Sequence, residues 1–192
     1  MRLPLLIGQA PGPNTDPALP LFPVPWTSAG GRLVQFMGIT RGHYLMAFDR
    51  INLLQTFPGK HKRDDKFPMR DAKIAARAIR PLLEDRVVIL IGRNVAEAFE
   101  LKIEFHEWVP VLPFCKTLAV VPHPSGRNHW YNSQENKLTA RSFWQQVVTQ
   151  HVPDKNLLPS LVSKRMQQDS LLRAKQELEQ NDDRDSQGHP VH

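Results

Sequence analysis

The sequence predicts an α/β domain built on a central, mostly parallel four-stranded sheet with helices on both faces. Three observations lead there. Apolar runs at residues 3–7, 87–91 and 118–121 are uninterrupted and end at glycine or proline, the pattern of strands buried on both faces. Segments with apolar residues at helical spacing lie between them, and strands that alternate with helices pair in parallel. The chain has 192 residues and is 41% hydrophobic, which suits one core of ordinary size rather than two.

Taken in order, residues 3–7 form the first strand, closed by Gly8. A Pro/Gly-rich loop runs to Gly31, and Leu33, Val34 and Met37 give 31–37 the spacing of a short helix. Residues 44–48 fit helix or strand, whereas 50–55 alternate as a strand and lead into Phe57-Pro58-Gly59. Residues 60–66 are charged and should be exposed. Across 70–83, Ala72, Ala75, Ala76, Ile79, Leu82 and Leu83 keep a helical period, the mark of an amphipathic helix. The β-branched run 87–91 stops at Gly92, and Asn94 stands where it would cap a helix over 95–101. A short strand at 109–112 precedes the strand 118–121, which ends in Pro122-His123-Pro124-Ser125-Gly126. The last helix, 134–150, should direct Leu138, Phe143, Trp144 and Val147 inward before Pro153 stops it. One folded domain, 1–153, is therefore expected, followed by a charged tail, 154–192, partly helical or disordered.

The formal net charge is +6, unevenly spread. The tail holds six Lys/Arg and seven Asp/Glu, leaving 19 basic and 12 acidic residues before it, so the excess belongs to the folded part. Such a field suits a partner carrying phosphates. No apolar run approaches membrane-spanning length, and the N-terminal segment turns to Gly and Pro too soon for a signal peptide, so a cytoplasmic monomer without membrane contact is expected. Cys115 is the single cysteine. It excludes an internal disulfide or a site built on several thiolates and reads as a small buried apolar residue; no metal or cofactor is called for.

Ligands of such sheets bind beyond the carboxyl ends of the strands. That rule points to Gly8-Gln9-Ala10-Pro11-Gly12 and to Pro122-His123-Pro124-Ser125-Gly126. No Gly-Lys-Ser/Thr follows the first loop and no Gly-x-Ser-x-Gly surrounds Ser125, which disfavours P-loop and hydrolase-elbow chemistry.

Together the two loops resemble the paired motifs of the uracil-DNA glycosylase superfamily, most closely its bacterial and archaeal iron-sulfur branch. In that branch a Gly-Glu-x-Pro-Gly loop precedes Pro-Phe-Val-Gly-x-Ala-Gly, a strand with Asn, and a late His-Pro loop. Here the matching segments are Gly8-Gln9-Ala10-Pro11-Gly12, then Pro25-Trp26-Thr27-Ser28-Ala29-Gly30-Gly31, then Ile51-Asn52-Leu53-Leu54, then His123-Pro124-Ser125. The resemblance spans residues 3–150, and its strength lies in four motifs occurring in the right order. It implies a monofunctional glycosylase that flips a pyrimidine out of DNA and leaves an abasic site. Breaking an N-glycosidic bond puts negative charge on the departing base, which a site must stabilise.

By this resemblance His123 donates to the base O2, Asn52 reads the O4 and N3–H edge, and Ala10, Pro11 and Gly12 line the base. Trp26, at the family's Phe position, stacks on it, with Phe22 as the second choice. Ser125 and nearby amides pinch phosphate, Gly126 and Arg127 lie where the family inserts a wedge, and Lys60, Lys62, Arg63 and Lys66 either extend the footprint or form a solvated charged loop. Four cluster cysteines are missing, so no iron-sulfur cluster is expected. Gln9 replaces the branch's Glu, and Ala10 stands where other branches have Asp or Asn. Asp16 and Asn14 are the nearest groups able to orient water, alongside Gln9. Gly12 occupies the place of a Tyr that closes the C5 side in uracil-specific enzymes, which opens the substrate range to C5-modified pyrimidines, in repair or in defence against modified foreign DNA. Two further readings stay open: a DNA-binding module that kept the pocket without hydrolysis, and a nucleotide-binding α/β protein with no role on DNA.

Overall fold

The computed structural model describes residues 2–61, 64–65 and 67–152. The tail expected over 154–192 lies outside the described residues, as do Lys62, Arg63 and Lys66. Strand β1, Leu5–Gly8, opens the sheet, and a long loop leads to helix α1, Ala29–Met37. Ser28 caps α1: its hydroxyl accepts from the Gly31 N–H at 3.0 Å and donates to the Phe22 carbonyl at 2.9 Å. Helix α2, Arg41–Ala47, follows with Thr40 as its cap, then strand β2, Asp49–Asn52. Residues 44–48, ambiguous in sequence, are thus mainly helical, with Tyr44 and Ala47 on the buried face. The charged segment after β2 is a small hairpin, β3 Lys60–His61 against β4 Asp64–Asp65.

Helix α3, Met69–Ala78, ends earlier than its sequence pattern suggests, and Arg80–Leu83 continues as a 3₁₀ turn containing Pro81. The tighter turn changes the period, so Leu83 is buried while Leu82, expected inward, is 56% exposed. Strand β5, Val87–Ile91, is buried along its whole length. Helix α4, Arg93–Ala98, starts from Gly92 without a side-chain cap, so Asn94 sits exposed in the first turn rather than at the cap. Strand β6, Trp108–Leu112, turns directly into β7, Cys115–Val121, and α5, Gln134–His151, closes the described chain. Ala140, Phe143, Trp144 and Val147 form the buried face of α5; Leu138 stands about half a turn round from Val147 and is exposed.

The sheet has five strands in the order β2-β1-β5-β7-β6. Four are parallel, as anticipated; the fifth, β6, pairs antiparallel with β7 at the edge. Alternate residues point to opposite faces. Leu5, Ile7, Val88, Leu90, Leu118 and Val120 join the core under α3 and α4, whereas Leu6, Ile89, Ile91, Ala119 and Val121 join the core under α1, α2 and α5. At the opposite end of the sheet from the loops, Arg86 pairs with Asp49 and donates to the Leu3 carbonyl, tying β5, β2 and β1 together. The chain leaves β1 toward β2 on one side and β5 toward β7 on the other. The crevice between the carboxyl ends of β1 and β5 is therefore the topological switch point, where ligands of this architecture bind.

Candidate active site

Glycines at two neighbouring strand ends leave room for polar side chains to lie across them. Pairing continues past the end of β1, since the Leu53 and Leu54 N–H groups donate to the Gly8 and Gln9 carbonyls at 2.9 Å each. This brings Asn52 over Gly8 so closely that a Cβ there would stand 2.5 Å from the Asn52 Oδ1. One strand further, Gly92 has φ +102°, and a Cβ on it would lie 2.9 Å from the Gln9 Nε2 and 3.2 Å from the His123 Cβ. Glycine alone fits both the conformation and the space. The ends of β2, β1, β5 and β7 thus converge Asn52, Gln9 and His123 on the switch point.

Asn52 is 8% exposed, with its side-chain Oδ1 lying over Gly8 at the strand end. His123 is fixed in the complementary sense. The Ser125 N–H donates to its Nδ1 at 3.2 Å, so in the neutral ring the hydrogen sits on Nε2, making that atom a donor. The loop carrying His123 is braced from behind: Asn128 Nδ2 donates to the His123 carbonyl at 2.8 Å, and the buried Tyr131 hydroxyl donates to the Pro122 carbonyl at 2.9 Å. Asn128 also accepts from the Trp130 N–H at 3.0 Å, starting the 3₁₀ turn His129–Asn132.

The remaining sequence candidates scatter around this centre. Pro11 is buried and Ala10 half-buried beside the first loop. Gly12 begins a turn in which Thr15 caps the Gly12 carbonyl; a Cβ on Gly12 would make ordinary 3.5 Å contacts with Thr15. Asn14 and Asp16 are exposed, and Asp16 Oδ1 is engaged by the Ala18 N–H at 2.9 Å. Leu21 is the apolar side chain that packs against the Gly8–Asn52 end, 3.2 Å from the position of a Gly8 Cβ. Trp26, assigned to the base in sequence, is 48% exposed, with the Arg41 guanidinium 3.8 Å from its ring centroid. Its backbone is pinned against α1, because Gly31 lets the Pro25 and Trp26 carbonyls approach within 2.5 and 2.7 Å of where a Cβ would be. Ser125 is half-buried, Gly126 and Arg127 are exposed, and Lys60 is exposed on the hairpin. Sequence reasoning missed Arg32: its guanidinium lies 2.9 Å from the place of a Gly126 Cβ, and its Nε donates to the Thr27 carbonyl at 3.3 Å. An arginine on a helix carries no motif of its own, and only the fold brings it to the His123 loop.

The chain's match to known proteins agrees with this geometry. The family model for the uracil DNA glycosylase superfamily matches residues 4–147. The chain belongs to that superfamily. No curated protein matches it. Membership supports a DNA glycosylase type of function and DNA as the partner, and the matched span contains every strand end described above. Cys115 does not suit an iron-sulfur ligand: it is buried in the core, and burial pushes its thiol up to about 11, away from the thiolate such a cluster binds. Among the described residues no group of three or more His, Cys, Asp or Glu is placed to hold a metal ion, and no helix is long and apolar enough to cross a membrane.

Proposed function

We propose that this superfamily member is a monofunctional glycosylase that extrudes a pyrimidine nucleotide from DNA and hydrolyses its N-glycosidic bond. The observation that carries the reading is the placing of a little-exposed Asn52, its amide over Gly8, and of a His123 held as an Nε2–H donor at one switch point. Asn52 offers a donor and an acceptor to the O4 and N3–H edge of the base, and His123 donates to O2 as negative charge develops there. Leu21 packs on the base from the loop side. Ser125, Gly126 and Arg127, with Lys60 further out, hold the DNA backbone, and the lack of a lysine in the pocket motifs fits hydrolysis without a Schiff base.

In the reaction the C1′–N1 bond breaks, the base leaves as an anion, and water adds its oxygen to C1′ while giving up a proton to solvent. Gln9, whose amide lies beside His123, orients that water but cannot take its proton; Asn14 and Asp16 stand on the exposed loop. Stabilisation of the leaving base is accordingly the main source of rate. Gly12 leaves backbone alone on the C5 side, so 5-substituted pyrimidines belong to the substrate range, which suits repair or the removal of modified foreign DNA.

The second reading, a module that binds an extruded base without hydrolysing it, is favoured by Gln9 standing where the iron-sulfur branch has Glu. Oligonucleotides bearing uracil, a thymine mismatch or bulky 5-substituted cytosines, followed by alkaline cleavage at abasic sites, separate the two. Release of base from at least one supports the enzyme; binding without release from any supports the module.

A further inference from the structure

We infer that Trp26 and Arg41, together with Arg32, form a second nucleotide subsite outside the base pocket, which stacks on a base next to the extruded one and holds its phosphate. The inference rests on the proposed action on DNA. Its starting point is a side chain left over: Leu21, not Trp26, packs at the Gly8–Asn52 end, and the Trp26 indole is half exposed.

That indole is presented rigidly. The Ser28 N–H donates to the Pro25 carbonyl at 2.9 Å, Gln35 Nε2 donates to the Trp26 carbonyl at 2.9 Å, and Gly31 admits both carbonyls against α1. Arg41 reaches from α2 to lie over the ring, its Nε buried there without a hydrogen-bond partner. Among the described residues Arg41 meets no carboxylate or carbonyl, so its remaining N–H groups are open to an anion. Arg32 extends the positive edge from Thr27 to Gly126, which joins Trp26 to the loop that follows His123.

Charge makes the occupant specific. Residues 17–48, which carry the loop, α1 and α2, contain no Asp or Glu. A cation over an aromatic face beside a second arginine, in a segment free of acids, combines the two elements by which proteins hold unpaired nucleotides: a π-platform and a phosphate clamp. Contacts from Gly126 through Arg32 to Thr27 connect the platform with the loop that carries His123.

The test uses the full chain and DNA that carries no excisable base, so its outcome does not depend on base release. Affinity is followed by anisotropy, and tryptophan emission is followed on the same samples. Trp26→Ala should weaken binding by roughly 5- to 150-fold, the range for loss of one base–aromatic stack. Trp26→Phe should keep most of the affinity, which guards against a folding effect. The part of the emission quenching that Trp26→Ala removes should persist when the target nucleotide is a base-less tetrahydrofuran and vanish when one flanking nucleotide is. Arg41→Gln should reduce the slope of log Kd against log salt by about one phosphate's worth. Quenching that disappears with the target base places Trp26 in the pocket and overturns the inference. So does unchanged affinity in Trp26→Ala. Failure of base release with these binding effects intact refutes the enzymatic reading alone.

Discussion

Replacing His123 by alanine separates chemistry from folding, because the role proposed for it toward the departing base and its contact with the Ser125 N–H are read by different measurements. Toward the ligand it offers the Nε2–H that the Ser125 N–H, bound at Nδ1, leaves as the donor. Removing one preorganised donor from a developing anion costs about 2.7–4 kcal/mol, or a 10²- to 10³-fold loss in rate. Toward the protein, the loss includes the 3.2 Å hydrogen bond from Ser125 on a half-buried loop. Such a bond contributes about 1 kcal/mol, and the loop keeps its braces from Asn128 and Tyr131. The midpoint of thermal unfolding should fall by only roughly 2–4 °C for a domain of this size. Single-turnover base release at saturating DNA measures the first quantity and calorimetry the second. Activity within threefold of wild type would refute the assignment of leaving-group stabilisation to His123. A large thermal loss would show instead that the ring is structural.

Three further outcomes are expected. Asn128→Ala removes both the donor to the His123 carbonyl and the acceptor for the Trp130 N–H, so it should lower stability by about 1–2 kcal/mol and slow base release roughly tenfold at saturating DNA; full activity would mean the brace does not position His123. Gly12→Tyr fits the loop at Cβ and should abolish release of 5-substituted pyrimidines while keeping part of the uracil activity; equal loss of both would show only a damaged loop. His106 lies between Trp130 and Phe143, and burial lowers its ring from 6.5 to about 4. The unfolded chain therefore takes up a proton that the fold refuses, and stability should drop as pH falls from 6.5 to 4. His106→Asn, which tolerates the φ of +68°, should flatten that part of the Tm profile even while lowering Tm overall; an unchanged slope would show that other groups set the acid limit.

What the sequence showed and what it hid follow from the range of the interactions involved. Strands β1, β5 and β7 were legible because burial on both faces leaves an uninterrupted apolar run, and Gly8, Gly92 and Pro122 mark their ends. Asn52 and His123 were legible as members of ordered motifs. Leu82 and Leu138 depart from the expected inward face for different reasons: Leu82 lies past a switch to 3₁₀ geometry that a helical period does not foresee, and Leu138 lies on the far side of α5. The edge strand β6 was glimpsed at 109–112, but nothing local said that it would pair antiparallel and widen the sheet to five strands. The Arg32–Gly126 and Arg41–Trp26 approaches join distant segments through bare geometry, and no spacing rule reports those.

The way Asn52 and Gln9 each rest on the glycine of the next strand has a consequence for how recognition can change. Asn52 and His123 belong to strands three places apart in the ladder, about 14 Å at backbone level by ordinary strand spacing. That interval is a fixed gauge, set by hydrogen bonds that run the length of the sheet, and no single replacement can widen or narrow it. A change of target base must therefore come from the reach and polarity of the groups projecting across the gauge, or from the rim at Gly12 and Leu21. Drift in this lineage should accordingly be free at the rim and confined at the rails, where any side chain in place of Gly8 or Gly92 would occupy the seat of its neighbour's amide.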